Sequence, residues 1–115
     1  MFDVDFYRLP DGSVPLEQFL DSLSEAMRIK AIQELTLLGE MGNELRAPHS
    51  KHIRNGVFEL RIKRSNNIAR IFYFFFVEQR IIATNGFIKK TQKTPKTEID
   101  KALRYKADWE ERNKR

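Results

Sequence analysis

Ile68-Ala69-Arg70-Ile71-Phe72-Tyr73-Phe74-Phe75-Phe76-Val77 is apolar on both faces of an extended chain, apart from the Arg70 guanidinium and the Tyr73 hydroxyl. Branched and aromatic residues suit a pleated strand, and a strand apolar on both sides has to be covered on both. Residues 68–77 are therefore expected at the centre of a sheet. The stretch before it alternates. Phe58, Leu60 and Ile62 fall on one face of 57–63, and Glu59, Arg61 and Lys63 fall on the other. That is the pattern of a half-buried strand with a charged outer face. Arg64-Ser65-Asn66-Asn67 is expected to turn one strand into the other, and Ile81 to Ile88 supplies a third strand of this group.

Working outward, Phe2, Val4 and Phe6 alternate with Asp3 and Asp5, which predicts a strand that Pro10-Asp11-Gly12 cuts off. Pro15 suits a first helical position, with Leu16, Phe19, Leu20 and Leu23 following at three- and four-residue spacing. Ser24 is placed to cap a second helix carrying Met27, Ala31, Ile32, Leu35 and Leu38 and stopping near Gly42, so the two helices are expected to form a hairpin. Thr94-Pro95 opens a last helix with Ile99, Ala102, Leu103 and Trp109 on its inner stripe. The expected order is β-α-α-β-β-β-α. This predicts an α+β fold, a compact domain with a largely antiparallel sheet packed on helices.

At 115 residues with 41% hydrophobic content, the chain fits one domain, 1–115, around one core. It has no cysteine, which excludes disulfides and thiolate metal sites, and two histidines are too few for a His-rich site. No ligand set for a metal or a small-molecule cofactor is visible, so none is expected. No apolar run approaches the roughly 20 residues of a membrane helix, and the Met1-Phe2-Asp3-Val4-Asp5 start is acidic where a signal peptide is basic. No membrane is expected as a partner, and a soluble cytoplasmic protein is.

Charge is segregated. Residues 43–96 hold twelve Lys and Arg against three acids, a local net of +9, while residues 1–42 hold three cations against eight acids. Clustered cations attract polyanions at range, which puts nucleic acid ahead of an anionic membrane surface as the partner class. The densest part is Gly86-Phe87-Ile88-Lys89-Lys90-Thr91-Gln92-Lys93-Thr94-Pro95, with three lysines between an apolar strand and a helix start. Arg70 is the other informative cation, because a guanidinium in an apolar strand is costly without a partner or ligand. Glu59 on the neighbouring strand is a candidate salt-bridge partner. Arg61, Arg70, Lys89 and Lys90 are of most interest together, since adjacent strands can gather them around one phosphodiester.

Four stretches, in order, carry a resemblance: Ser50-Lys51-His52-Ile53, Gly56-Val57-Phe58-Glu59-Leu60-Arg61, Ala69-Arg70-Ile71-Phe72-Tyr73, and residues 86–95 as quoted above. Over essentially its whole length the chain resembles the phage-derived, HigB-type branch of the RelE toxin superfamily. The resemblance implies a RelE-like fold and a toxin of a type II toxin–antitoxin pair, an endoribonuclease that cuts messenger RNA on the translating ribosome. It also implies a helix-turn-helix, HigA-like antitoxin that neutralises the toxin and represses its own operon. Arg61 and Arg70 align with basic positions of that family's active site, and Lys89 and Lys90 with its basic pair after the last strand. Glu59 stands where relatives carry a lysine, and the tyrosine that some place shortly after the basic pair has no counterpart, the nearest positions being Lys93 and Lys96.

The chemistry expected is metal-free attack of a 2′-hydroxyl on the adjacent phosphodiester, with Arg61 and Arg70 binding the charge that gathers on phosphate oxygens. For proton transfer the candidates are His52 and Glu59, then Tyr73 or a lysine of lowered pKa in the crowded cationic site. Lys51, Lys63, Lys93 and Lys96 are expected to hold the RNA backbone. Two other readings stay open: a non-catalytic RNA- or DNA-binding module with a basic belt, and a protein-interaction domain with an acidic partner. Phe72, Phe74, Phe75 and Phe76 are expected in the core and not as stacking platforms.

Overall fold

In the computed structural model, which describes residues 1–114, the chain runs β1 (Asp3–Phe6), α1 (Pro15–Ser22), α2 (Glu25–Met41), a 3-10 turn (Gly42–Glu44), β2 (Ser50–Arg54), β3 (Val57–Arg64), β4 (Asn67–Phe76), β5 (Arg80–Ile88) and α3 (Lys96–Arg112). The strands form one sheet in the order β1-β5-β4-β3-β2, so β4 is central as its two apolar faces require. All neighbours are antiparallel except β1 and β5. The fold is α+β with a largely antiparallel sheet. It has one strand more than the expected order, β2, whose Ser-Lys-His-Ile-Arg sequence is mostly exposed and carries no apolar alternation. The signal for it lies in the next two residues, Asn55 and Gly56, which take φ of 50° and 82° and turn β2 into β3.

The helices cover the sheet from both sides. Leu16 and Leu20 of α1, and Met27, Ala31, Leu35 and Leu38 of α2, pack with Leu60, Ile62, Ala69, Ile71, Tyr73, Ile81 and Ala83 into the larger core cluster. Ser24 caps α2 by accepting from the Met27 amide, and Gly42 ends it with a φ of 56°. Ile32, expected on the inner stripe of α2, is half exposed. On the opposite face α3 lays Ile99, Ala102 and Leu103 over Val57, Phe72 and Phe87, and Tyr105 and Trp109 beside Tyr7, Phe74 and Ile82.

β5 contributes to both faces by breaking step. Ile81 and Ala83 point to α1 and α2, and simple alternation would send Phe87 the same way. Instead the β4–β5 register shifts between Ile71 and Tyr73, and Phe87 lies under α3. The residues at the irregularity are polar, buried and bonded: Thr84 Oγ1 donates to Asn85 Oδ1 (2.7 Å) and lies 3.3 Å from the Phe72 carbonyl, and Asn85 Nδ2 reaches Glu98 of α3 (3.4 Å). A bulge of this kind re-aims every later side chain. Gly86, just past it, lets the Phe19 ring of α1 lie on the strand, since an added Cβ would meet two ring carbons at 2.4 and 2.6 Å.

The far end of α3 is latched to the start of the sheet. Tyr7 donates to Asp108 Oδ2 (2.6 Å) and stacks on Tyr105 with centroids 4.6 Å apart, while Arg112 bonds Asp108 and the Arg8 carbonyl. Burial, and then the Asp108 carboxylate, push the Tyr7 phenol up from 10.0 to about 12.

Two outcomes follow for stability. Gly86→Ala, followed by urea denaturation, is expected to cost about 1–3 kcal/mol, the usual penalty for overpacking. The second concerns alkali: the unfolded phenol ionises at its ordinary 10.0 and the folded one at about 12, so the contribution of Tyr7 is complete below the first value and declines through the second. Unfolding free energies of Tyr7→Phe, measured across that range, should fall less steeply with pH than those of the unaltered protein.

Candidate active site

Alternation along β3 puts Glu59, Arg61 and Lys63 on the face that α3 covers, and the ladder sets Arg61 directly opposite Arg70. Two like charges in that position repel, so a counter-charge is needed. Glu59 supplies it. Its side chain is 1% exposed, and Oε2 lies 3.5 Å from the Nε atoms of both Arg61 and Arg70. Oε1 accepts from Thr94 Oγ1 at 2.6 Å, which ties the lysine-rich loop to the same carboxylate. Burial holds the Arg70 guanidinium below its ordinary pKa, with Arg61 acting the same way and Glu59 opposing. Among the described residues its Nη1 bonds the Ala69 carbonyl alone (3.2 Å), and the Arg61 side chain makes no hydrogen bond. The guanidiniums are held by charge and keep donors for a ligand.

The bulge in β5 brings Lys89 to this face. Its amide continues the ladder to the Ile68 carbonyl (2.9 Å). Its ammonium is held below the usual lysine range by burial first, then by Arg70, with Arg61 and Lys51 adding to the effect and Glu59 opposing it. Lys51 reaches the group because β2 sets it opposite Glu59. Two hollows meet at Ile68 and Arg70. One, of about 390 Å³, is lined by Lys30, Glu34, Pro48, His49, Arg61 and Lys63 besides these two, and the other by Lys89, Lys90, Thr91 and Gln92. Together they form a cationic cleft beyond the amino-terminal end of α3. Such a cleft can bind a phosphodiester through several charge-assisted bonds.

The structure thus gathers Arg61, Arg70, Lys89, Lys90, Lys51, Lys63 and Glu59 in one place. His52 is not among them. It pairs with Phe58 across β2–β3, on the face of the larger core, where its ring meets Phe58 edge-on at 5.1 Å and Nε2 accepts from the Gly56 amide (3.3 Å). The expectation that it transfers protons beside the arginines fails for that reason: it stands one strand position out of phase. Tyr73 also faces away, its buried hydroxyl bonded to Ser50 Oγ. Glu59 is buried and committed to three partners, which makes it a holder of the arginines rather than a base open to substrate. Lys93 is exposed on the loop, and Lys96 pairs with Asp100 on α3 (3.0 Å), outside the residues lining the cleft.

Sequence reasoning passed over one pair that the cleft contains. His49 Nδ1 lies 2.9 Å from Oε1 of Glu34, a buried carboxylate of α2. A signal existed, since Glu34 falls three residues after Ala31 and four before Leu38, on the apolar stripe where a carboxylate needs a partner. Among the described residues no three or more His, Asp or Glu side chains gather as a metal site. Nor is any helix long and apolar enough to cross a membrane.

The sequence profile of the family described as "Phage derived protein Gp49-like" matches residues 18–107, from α1 into α3, and so takes in every residue of the cleft. The chain belongs to this family, the HigB-like branch of the RelE toxin superfamily. Two relatives named "Probable endoribonuclease HigB1", from Mycobacterium tuberculosis strains CDC 1551 / Oshkosh and ATCC 25618 / H37Rv, are each 32% identical to this Gp49-like chain over 99 residues. The match covers 86% of this chain and 77% of each relative. The family is the one that the four ordered stretches resemble.

In this Gp49-like protein Glu59 is expected to matter for folding before it matters for activity. Glu59→Ala leaves Arg70 buried and unpaired, and urea denaturation should show a loss of about 3–5 kcal/mol.

Proposed function

We propose that the protein is the endoribonuclease toxin of a type II toxin–antitoxin pair, cutting messenger RNA on the translating ribosome by attack of a 2′-hydroxyl on the adjacent phosphodiester. The observation that carries this reading is the Arg61–Arg70 pair, held side by side across β3 and β4 with free donors at a cleft. As O2′ bonds to phosphorus and the bond to O5′ breaks, negative charge gathers on the phosphate oxygens. Two guanidiniums already fixed in place stabilise that charge more than they stabilise the ground state. The reaction needs no metal in this scheme, because the arginines and Lys89 stand where a metal would screen the phosphate.

Lys89 suits the protonation of the departing O5′. An ammonium whose pKa is lowered by burial and by Arg70 gives up its proton more readily than an exposed lysine does. Lys51, Lys63 and Lys90 flank the reacting phosphate and hold its neighbours, with Lys93 and Lys96 further along the backbone. The name of the mycobacterial relatives supports an endoribonuclease, and the HigB-like family supports an antitoxin partner. A helix-turn-helix protein that covers the cleft or blocks entry to the ribosome would neutralise the toxin.

The test is primer extension on messenger RNA bound to translating ribosomes, beside naked RNA, with unaltered protein and Arg70→Ala. New ends on the ribosome are expected, and Arg70→Ala should form them about 10²–10³-fold more slowly, by analogy with loss of one oxyanion donor. Protection of RNA without new ends would replace the nuclease by a binding module.

A further inference from the structure

We propose that His49, oriented by the buried Glu34 carboxylate, is the general base that takes the 2′-hydroxyl proton in the Arg61–Arg70 cleft, an inference that rests on the endoribonuclease reading. Its position follows from the backbone. The Arg61 amide donates to the His49 carbonyl at 2.8 Å, extending the β2–β3 ladder by one step and fixing His49 beside the arginine that stands opposite Arg70. Both arginines and His49 line the same cleft.

The tautomer follows from the partner. An ionised carboxylate only accepts hydrogen bonds, so Nδ1, 2.9 Å from Glu34 Oε1, carries the hydrogen, and in the neutral ring Nε2 keeps the lone pair. Nε2 makes no hydrogen bond to any described residue, and 43% of the side chain is exposed, so a ligand can reach it. Glu34, by contrast, is 8% exposed in its side chain. A carboxylate on the apolar stripe of α2 costs folding energy unless it is paired, and its partner here is a histidine that opens on the cleft. The arrangement has the logic of a carboxylate–histidine pair in acyl transfer. The carboxylate fixes the ring and stabilises the imidazolium once the proton arrives.

Atoms and charges balance. Nε2 takes the proton from O2′, O2′ bonds to phosphorus, the bond to O5′ breaks, and Lys89 gives O5′ its proton. The products are a 2′,3′-cyclic phosphate, a 5′-hydroxyl, an imidazolium and a neutral amine, and solvent resets the last two. In-line displacement needs base and acid on opposite sides of phosphorus. His49 lines one of the two hollows that meet at Arg70, and Lys89 lines the other. His52 offers neither feature, since its Nε2 is occupied and its ring lies on the other face of the sheet.

Single-turnover cleavage of ribosome-bound messenger RNA tests the assignment, with His49→Asn, His49→Ala and Glu34→Gln beside the unaltered protein and Arg70→Ala. Asparagine keeps a donor where Nδ1 stood, so Glu34 stays paired and the fold is spared, but it has nothing in place of Nε2. His49→Asn should cleave about 10²–10⁴-fold more slowly, the usual contribution of a positioned base, while binding ribosomes as before. Exogenous imidazole should raise the rate of folded His49→Ala in a saturable way and leave His49→Asn unchanged. Glu34→Gln should lower kcat with little change in KM. A His49→Asn rate within a few-fold of the unaltered protein, or a folded His49→Ala that imidazole does not rescue, overturns the role of His49 while Arg70→Ala still reports the nuclease. If the unaltered protein cuts nothing, the nuclease reading falls and this inference falls with it.

Discussion

Two guanidiniums opposed across a β-ladder stay together only because a carboxylate on the same face stands between them. At 3.5 Å from both Nε atoms, Glu59 Oε2 faces two attractions. Each is worth roughly 4 kcal/mol at the effective dielectric of a protein surface, against a repulsion between the arginines of similar kind. The attraction sets the orientation of both side chains with no hydrogen bond to either Nε. The second oxygen of the carboxylate is taken by Thr94, so the same group also fixes the loop that follows Lys89 and Lys90. One buried negative charge thereby orients two arginines on adjacent strands and anchors the lysine-rich loop beside them. An anionic ligand entering the cleft would meet donors already arranged and would lose little binding energy to ordering them.

Much of this was legible in the sequence because period-two patterns survive into the fold. The alternation in β3 placed Glu59 with Arg61, and the apolar run of β4 marked Arg70 as the cation in need of a partner. What was not legible depended on a change of phase. In Thr84-Asn85-Gly86 the glycine is the one sign of a bulge and does not fix its phase, yet without the bulge Lys89 would point to the face of α1 and α2. The two histidines make the same point. With β2 unread, His52 had no strand partner, whereas in the ladder it falls opposite Phe58 and His49 falls opposite Arg61. The Asn55-Gly56 turn carried that register, and counting back from it through the hairpin assigns each histidine to a partner.

The sheet divides its labour by face. One side carries α1, α2 and the larger core cluster. The other is shared between α3 and the cleft, to which α2 also contributes Lys30 and Glu34. The boundary is set where α3 begins, because Pro95 lacks the amide to continue a helix backward and directs the preceding residue to an extended conformation. Val57, Phe72 and Phe87 lie under the helix, and Arg61 and Arg70, toward the other end of the same strands, are left open. The bonds from Asn85 to Glu98 and from Thr94 to Glu59 hold this end of α3, and the Tyr7–Asp108–Arg112 network holds the other. The helix that roofs half of the face therefore also frames the site on the other half.

The cleft contains two carboxylates, and that is the feature hardest to reconcile with an anionic substrate. Their partners resolve it. Glu59 is enclosed by two arginines and a threonine, and Glu34 by His49, so neither presents an unpaired negative charge to an incoming phosphate. Both are buried, whereas Lys51, Lys63 and Lys90 are exposed, so the acids act at short range on their own partners while the lysines set the potential that solvent meets. Screening sharpens the division, since exposed charges beyond about 8 Å are damped at physiological salt and buried pairs much less. The same charged residues scattered over a surface would only make the protein basic. Sorted by depth, with the acids inside and the cations at the rim, they give a site that attracts a polyanion from a distance and keeps its own geometry when the polyanion arrives.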